Sequence, residues 1–402
     1  MTAAPWTDGG PRLADRPWHR RWLADRAEAL WRFFGPAAID PAGGFHAMGA
    51  DGRPLARRPR PLHDTARMVH CHAIGHLLGR PGSDAMVDHG MWTLCHRHRD
   101  DRHGGFHWSV DEGGAVDDDK RAYGHAFVLL AAASATVAGH PHGPALLEEI
   151  TALHERRFWD DAAGMGREDF ARDWSDPEPY RGQNSNMHLA EALMGAWEAT
   201  GDEAQLARAR RIAGRLIDRH ARAAGWTVPE HFDEAWTEWP DYDDDPMFRP
   251  AGTTPGHALE WARLLTLLRA MGGEAWMAEA AGALFDRACA TGWDRARGGF
   301  AYTLDRSGAV SRSLRLWWPL AEGAAAAAVL GREDWYRRIW SVLAHDVIDE
   351  PTGAWRPELD PAHPPIFEGR PDLYHALGAC LTPLAPPDRT LVTAAADGTL
   401  RV

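Results

Sequence analysis

The chain has 402 residues, 45% of them hydrophobic and 25% charged, with a formal net charge of −13. This acidic balance argues against nucleic acid and against an anionic membrane as partners, and no uninterrupted apolar run of about 18 residues could span a bilayer. The four cysteines lack metal-type spacing and the stretch from Met1 to His19 has no apolar secretion signal, which predicts reduced thiols and a cytoplasmic location.

A short signal recurs six times along the chain: an acidic residue, a few small residues, then glycine and usually an aromatic residue. The copies lie at residues 40–45, 101–106, 160–165, 223–226, 294–300 and 349–355. Their spacing of roughly 55 to 75 residues is typical of repeated supersecondary units. After most copies the chain alternates briefly and turns again, as at 106–114 and 300–308, which predicts short hairpins.

Two kinds of helix are predicted between the signals. One kind is nearly apolar all round, at 124–138, 187–199, 257–270, 320–330 and 374–381. The other has a charged face, at 18–34, 145–158, 203–222, 274–291 and 334–347. Because an apolar helix is buried and a striped helix covers it, we expect an all-α (α/α)6 barrel of twelve helices, forming a single domain over residues 1–402.

Each inner helix should follow a signal, so the inner helices should run parallel and open their N-termini on one face. The longest irregular stretch, residues 231–253, is rich in Asp and Pro and should form a lid over that face.

Polar residues recur near the start of each predicted inner helix. In chain order they are Arg67; Tyr123 and His125; Asn184 and His188; His257 and Glu260; Trp318 and Glu322; and Asp372 and His375. Polar groups in otherwise apolar helices need partners or a cavity. Their recurrence at equivalent points therefore predicts one polar pocket on the axis of the barrel.

His257 and Glu260 are the strongest candidates in this set. They lie three residues apart on the first turn of a helix that follows Pro255 and Gly256, so they share one face. An imidazole beside a carboxylate suits proton transfer. A lone His-x-x-Glu is more often a capping or core histidine beside a solvated carboxylate, and it is the repetition in five other helices that favours a functional pocket.

Other patterns give weaker signals. His70, His72 and His76, or His96 and His98, have spacings that could bind a metal, but no acidic third ligand accompanies them. We therefore predict no metal and no cofactor. Lys120 is the only lysine, so a Schiff-base enzyme would have to use it. Phosphate-binding glycine loops and the Gly-x-Ser-x-Gly pattern are missing from the sequence.

Four segments together resemble the N-acylglucosamine 2-epimerase superfamily. They are Arg181-Gly-Gln-Asn-Ser-Asn-Met-His-Leu-Ala-Glu191, Pro255-Gly-His-Ala-Leu-Glu-Trp-Ala-Arg-Leu264, Trp317-Trp-Pro-Leu-Ala-Glu322 and Pro371-Asp-Leu-Tyr-His375. The resemblance extends from about Trp18 to Leu384. The second segment and the Asp/Pro-rich stretch before it are similar to the aldose–ketose isomerase branch, whereas the 2-epimerases more often carry Gly-His-Asp-Ile-Glu there.

The resemblance implies a metal-independent sugar isomerase in which His257 and His375 are the acid/base pair. It also implies that Arg67, His188, Glu260 and Glu322 bind the sugar; Tyr123, Asn184 and Trp318 correspond more loosely, and Asp372 is added from its position in the repeat. The expected reaction converts D-mannose to D-fructose through a cis-enediol. The first alternatives are a sulfoquinovose isomerase, with Arg67 or Arg249 as the anion site, and a sugar 2-epimerase. Weaker alternatives are an (α/α)6 hydrolase or lyase and a sugar-binding protein.

In this interpretation His375 is the C2/C1 base and His257 opens the sugar ring, although the two roles could be exchanged. Two imidazoles with ordinary pKa values near 6.5 suit both roles near neutral pH. We expect a monosaccharide substrate and a monomer or homodimer.

Overall fold

Helices dominate the computed structural model, which describes residues 12–55, 58–360, 365–370 and 372–402. Pro371 of the sixth motif and most of the stretch from Met1 to His19 lie outside these residues. The inner helices are α2 (Leu62–Leu77), α4 (Ala122–Val137), α6 (Gln183–Thr200), α8 (Pro255–Ala270), α10 (Trp317–Val329) and α12 (Tyr374–Leu381). The outer helices are α1 (Pro17–Phe33), α3 (Ser83–Thr93), α5 (Gly143–Leu153), α7 (Glu203–Ala213), α9 (Trp276–Gly292) and α11 (Glu333–Val342). A short helix, α13 (Leu391–Ala396), follows the rings.

The inner helices pack side by side in chain order, and α12 contacts α2, which closes the ring. Each inner helix packs against the outer helix that follows it, while α1 covers α12. The predicted (α/α)6 barrel is therefore confirmed. The sixth pair consists of α12 and α1, so it joins the C-terminal and N-terminal parts of the chain.

Burial explains the two helix types. Helix α4 is buried almost all round from Ala122 to Ala135, whereas α7 buries only a stripe that includes Leu206, Ala209 and Ile212. One cluster of buried apolar residues runs from Leu13 to Leu400, which agrees with the expected single domain. That expectation stays a prediction for the full range 1–402.

Helix α3 was not among the predicted helices, because its apolar stripe is weak. At Gly90 it approaches α2 so closely that a Cβ would lie 2.4 Å from Val69 Cγ2. Helices α3, α5, α7 and α11 continue into π-helical turns at Leu94–His98, His154–Phe158, Gly214–Ala221 and Leu343–Val347. These extensions account for the longer outer helices that the sequence predicts.

The glycine signals form tight turns after the outer helices. Antiparallel bridges flank five of them, at Ile39 and Phe45, Arg99 and Phe106, Trp293 and Phe300, Ile348 and Trp355, and between β4 (Trp159–Asp160) and β5 (Met165–Gly166). In four of these turns an aspartate side chain accepts backbone N–H groups, as Asp40 Oδ1 does from Ala42 at 2.9 Å, while Asp349 Oδ2 accepts the hydroxyl of Thr352 at 2.8 Å. In the second copy this residue is Asp100 rather than Asp101, since the Asp100 carbonyl accepts Gly104 N at 2.8 Å.

The predicted hairpins are found after two signals. They are β2 (Ser109–Asp111) with β3 (Gly114–Asp117), and β8 (Ala301–Leu304) with β9 (Val310–Arg315). Strand β1 (Arg60–Pro61) adds to β2, and β6 (Arg181–Gly182) pairs with the distant β7 (His231–Phe232). The sequence predicts hairpins after most signals; in the described part of the chain they follow these two, and the other signals are followed by loops.

The predicted lid, residues 231–253, begins with β7 and otherwise consists of turns and irregular chain. Tyr302 on β8 donates its hydroxyl to the carbonyls of Pro246 and Met247, both at 2.9 Å. The adjoining Phe248 packs against Tyr123 at the start of α4. None of the helices in the described residues is long and apolar enough to cross a membrane.

Candidate active site

The N-terminal ends of all six inner helices open into one cavity of about 710 Å³. The predicted residues that line it are Arg67, Tyr123, Asn184, His188, His257, Glu260, Trp318, Asp372 and His375. The inner helices therefore run parallel, as expected. The cavity is also lined by His63, Trp108, Phe248 and Trp317, which the sequence did not single out.

His257 and His375 flank the indole of Trp318. The ring centroids lie 5.1 Å apart for His257 and Trp318, and 5.8 Å apart for Trp318 and His375. Gly256 permits this packing, because a Cβ there would lie 2.3 Å from the Trp318 ring. Two imidazoles from different helices thus reach the same cavity beside the indole.

His257 is held by a buried carboxylate, Glu230. Its Nδ1 lies 3.0 and 2.9 Å from the two Glu230 oxygens, and Glu230 is only 5% exposed. Burial opposes the charge of this carboxylate, but His257 outweighs it and the pKa of Glu230 is lowered. Glu230 is therefore ionised, and it leaves Nε2 of His257 for the cavity.

His375 is held in a similar way by Glu322, at 2.8 Å from Nδ1 to Oε1. The other Glu322 oxygen accepts Arg263 Nε at 2.9 Å. Burial again opposes the charge, while Arg263 and His375 lower the pKa of Glu322. Glu322 thus lies behind His375 and is not among the residues that line the cavity, and the prediction that it binds the sugar stays a prediction.

Arg263 is the cation at the centre of this wall. Its NH1 lies 3.1 Å from Glu191 Oε1, and Glu191 also accepts the hydroxyl of Tyr374. Arg263 NH2 approaches Glu260 Oε1 only to 3.6 Å, beyond hydrogen-bond distance. One guanidinium therefore neutralises Glu191 and Glu322 but leaves Glu260 without a bonded cation.

Glu260 and His188 are buried polar groups that line the cavity. Among the described residues, both Glu260 oxygens and His188 Nδ1 find no hydrogen-bond partner, although the two residues are only 1% and 4% exposed. Burial, with Glu322 nearby, raises the pKa of Glu260 well above its usual value, and burial lowers the pKa of His188 to about 4. Burial thus favours the uncharged form of each group. Their 3.7 Å separation suits a hydroxyl group bound to both.

Arg67 forms the opposite wall. It donates to Asp372 Oδ2 at 2.8 Å and to the Tyr123 hydroxyl at 2.7 Å, and its guanidinium lies 4.3 Å from the Phe127 ring centroid. Asp372 is therefore a partner of Arg67 at the cavity edge. These bonds fix the guanidinium in one orientation.

The lid completes the cavity with Phe248. Its ring lies 5.3 Å from Tyr123 and 5.5 Å from His63, centroid to centroid, and Asn184 Nδ2 donates to its carbonyl at 3.3 Å. Beyond Phe248 lies a second cavity of about 370 Å³ lined by several carboxylates. Phe248, Tyr123 and Asn184 line both cavities and so separate them.

Two sets of potential metal ligands lie together in the described residues. They are His188, Glu191 and Glu260, and Glu260, Glu322 and His375. Both sets surround Arg263, which already supplies a positive charge to them. The histidines suspected from spacing have other partners: His70 Nδ1 bonds Ser134 at 2.7 Å, and His72 Nε2 bonds the Phe34 carbonyl at 3.2 Å.

His125 is a structural histidine and is not part of the pocket. It is fully buried, bonds the Arg121 carbonyl through Nδ1 at 2.7 Å, and accepts Phe106 N at Nε2. It therefore ties the second glycine turn to α4.

Sequence reasoning missed Glu230, Arg263 and Glu191 as parts of the site. Arg263 and Glu191 stand inside the segments that carry the family resemblance, three residues after Glu260 and His188, so the helical spacing could have revealed them. Glu230 lies outside every helix and reaches His257 only through the fold.

The fold belongs to the twelve-helix barrels of sugar-converting enzymes. The crystal structure of a D-mannose isomerase matches it with a TM-score of 0.87 at 32% identity, covering 93% of this chain and 99% of that one. A cellobiose 2-epimerase from Spirochaeta thermophila, 24% identical, shares the fold with a TM-score of 0.78, over 92% of this chain and 97% of that one. Over residues 43–379 the sequence matches the N-acylglucosamine 2-epimerase family, and the chain belongs to that family.

Sequence relatives cover nearly the whole chain. The D-mannose isomerase of Pseudomonas cannabina pv. alisalensis is 42% identical, over 94% of this chain and 96% of the relative. The D-mannose isomerase of Thermobifida fusca is 43% identical, over 92% of this chain and 95% of the relative. Both the family and the predicted resemblance are thereby confirmed.

Proposed function

We propose that this protein is an aldose–ketose isomerase that interconverts D-mannose and D-fructose. The observation that carries the proposal is the pair of cavity-lining histidines, each bound through Nδ1 to a buried carboxylate, on either side of Trp318. Relatives named D-mannose isomerase, at 42% and 43% identity over nearly the full chain, support the choice of substrate.

The reaction needs a base and an acid at different parts of one sugar. A base takes the proton from C2 and returns it to C1, while a proton moves from O2 to O1, so no oxidant or reductant is consumed. We assign the carbon proton to His375 and ring opening to His257. General acid–base help of this kind contributes roughly 10²–10⁴-fold. Glu260 and His188 bind sugar hydroxyls.

The cavity suits an uncharged sugar. The three arginines that line it are each paired with a carboxylate: Arg67 with Asp372, Arg58 with Glu368, and Arg370 with Asp349. Arg249, the other arginine considered for a sulfonate, is bound by Glu178 and Asp169. An anionic sugar would have to break such a pair, which disfavours sulfoquinovose relative to mannose.

The reaction is also proposed to need no metal. Arg263 provides the positive charge among Glu191, Glu322 and Glu260 that a metal would otherwise supply. Activity should survive dialysis against EDTA. Loss of activity on chelation, with recovery on adding one divalent ion, would contradict this part.

The substrate test is incubation with D-mannose in D₂O, followed by separation of the products and NMR. Fructose carrying deuterium at C1 is the expected product. Glucose as the main product would make the protein a 2-epimerase instead, and turnover of sulfoquinovose but not mannose would reassign the substrate. The cytoplasmic location and the monomeric or dimeric state stay predictions, to be tested by fractionation and size-exclusion chromatography.

The assignment of the two histidines has its own test. His375→Ala and His257→Ala should each lower kcat by about 10²–10⁴-fold, whereas His96→Ala, an exposed histidine far from the cavity, should stay near wild type. His375→Ala should also stop exchange of the C2 hydrogen with solvent. Exchange at the wild-type rate would move the role of base to His257 or His188.

A further inference from the structure

Glu230 lies at a junction of three elements. Its carbonyl accepts the N–H of Gln183, the first residue of α6, at 3.0 Å, and its residue neighbour His231 begins β7. Its side chain reaches the start of α8, where Oε1 accepts Thr254 N at 3.0 Å. The carboxylate is therefore fixed by the same backbone that positions His257.

All the hydrogen bonds of this carboxylate are accepted ones. Besides Thr254 and His257, Oε2 accepts Gln183 Nε2 at 2.7 Å. Gln183 cannot turn its amide around freely, because its own oxygen accepts Trp261 Nε1 at 2.9 Å. The network therefore has a fixed direction, from Trp261 through Gln183 to Glu230.

This direction determines the proton positions on His257. An ionised carboxylate only accepts hydrogen bonds, so Nδ1 of His257 must carry a proton. In the neutral ring Nε2 then has the free lone pair, and it is Nε2 that can exchange protons with a molecule in the cavity.

Glu230 differs from Glu322 in how its charge is balanced. Glu322 shares its charge between His375 and Arg263. Glu230 has neutral donors in Thr254 and Gln183, and within the described ranges His257 is the only residue with which it forms an ion pair. Its charge therefore acts mainly on the imidazole of His257, at 5% exposure and with little screening by water.

We propose that Glu230 is a positioning residue for the reaction: it fixes His257 in the Nδ1–H tautomer, orients the ring towards the cavity, and stabilises the imidazolium formed during turnover. Gln183 and Trp261 hold Glu230 in this role. Carboxylates that orient a catalytic imidazole work in this way. The part of the proposal that concerns turnover rests on the proposed isomerase function.

The first test is Glu230→Gln. This substitution keeps the size of the side chain and removes its charge. It also introduces an N–H donor where the neighbouring groups of Thr254, Gln183 and His257 already donate. We expect kcat to fall about 10²-fold or more while KM changes less than about threefold, because Glu230 does not line the cavity. The matched control is Asp100→Asn, a carboxylate 2% exposed that binds Lys120 away from the cavity; it should lower the melting temperature and leave kcat near wild type.

The second test separates charge from packing. The double variant Gln183→Glu with Glu230→Gln exchanges the carboxylate and the amide, so residue 183 can accept from both residue 230 and Trp261 while the charge moves away from His257. We expect the melting temperature to recover relative to Glu230→Gln and kcat to stay at least about tenfold below wild type. Recovery of kcat to within about threefold of wild type would overturn the role of the charge.

A third measurement does not depend on turnover. ¹H–¹⁵N spectra of ¹⁵N-histidine-labelled protein report which ring nitrogen carries the proton, and His257→Asn identifies the signals of His257. A protonated Nδ1 and an unprotonated Nε2 at high pH are expected. A proton on Nε2 alone would overturn the proposal. If the wild type produced no fructose, the isomerase proposal would fall while this result still stood.

Discussion

At the residue scale, neighbouring buried carboxyl groups have pKa values shifted in opposite directions. Glu191 and Glu322 bond Arg263 and stay ionised despite burial, whereas Glu260 lies 3.6 Å from the same guanidinium and forms no bond with it. Burial opposes the charge of all three carboxylates, but Arg263 lowers the pKa of Glu191 and Glu322, whereas burial and the nearby Glu322 raise the pKa of Glu260. In its protonated form Glu260 can donate a hydrogen bond to a sugar oxygen, which a carboxylate cannot.

Glu260→Gln tests the protonation state of Glu260. Burial raises its pKa in the folded protein above the unfolded value of about 4.5. Its contribution to stability is therefore fully present below pH 4.5 and is lost as the pH rises towards the folded pKa. Glutamine stays neutral, so the variant should gain stability relative to wild type between pH 5 and pH 8. Thermal unfolding at both pH values measures this, and an equal difference at the two would contradict it.

At the element scale, Arg249 links the lid to the segment that precedes α6. Arg249 donates to Glu178 at 2.6 Å and to Asp169 at 3.0 Å, and it lies 4.3 Å from the Tyr180 ring centroid. The residue before it, Phe248, is the wall between the two cavities. The position of Phe248 therefore depends on ion pairs outside the active site.

Arg249→Gln should loosen the lid without touching the histidines. It removes three charge-assisted hydrogen bonds, two to Glu178 and one to Asp169, of about 1.5–3 kcal/mol each. KM for mannose should therefore rise several-fold, and cleavage within residues 233–247 should become faster in limited proteolysis. Arg312→Gln is the matched control, because Arg312 only approaches lid residue Asp243 at 3.7 Å on the surface. Equal effects of the two variants would show that the Arg249 pairs do not hold the lid.

At the scale of the whole molecule, the barrel is closed at the end opposite the cavity by the C-terminal segment. Helix α13 contacts α2 and α4, and Glu198 near the C-terminus of α6 accepts Thr393 Oγ at 2.7 Å and Thr390 N at 3.2 Å. Val392 and Leu400 are buried there. This closure contributes to stability and is remote from the chemistry.

Deleting residues 386–402 should therefore separate stability from activity. Because the burial of Val392 and Leu400 is lost, the free energy of unfolding should fall by about 3–6 kcal/mol, at about 1.5–3 kcal/mol per side chain. Urea unfolding would measure this decrease. Since none of the cavity-lining residues lies beyond His375, kcat of the folded variant at 25 °C should stay near wild type. A large loss of kcat with unchanged stability would contradict this division.

The periodic sequence determined the architecture. Six glycine signals, with apolar and striped helices between them, predicted twelve helices, parallel inner helices and a pocket at their N-termini, because hydrophobic periodicity and turn chemistry are local properties. Pocket residues such as His257, His375 and Arg67 followed from their equivalent positions in the repeat. Helix α3 was missed because its burial depends on the close approach at Gly90, which no local pattern reveals.

Only the tertiary structure decided which polar groups face the cavity and which support them. Glu322 has the same repeat position as its neighbours, yet it lies behind His375, while Glu230 comes from a loop 27 residues before His257 and supports it through Nδ1. The raised pKa of Glu260 likewise depends on its burial and on the nearby Glu322, which comes from another helix. Such properties arise from distances between distant segments and from the loss of water around them, so they are settled only when the ring of helices closes.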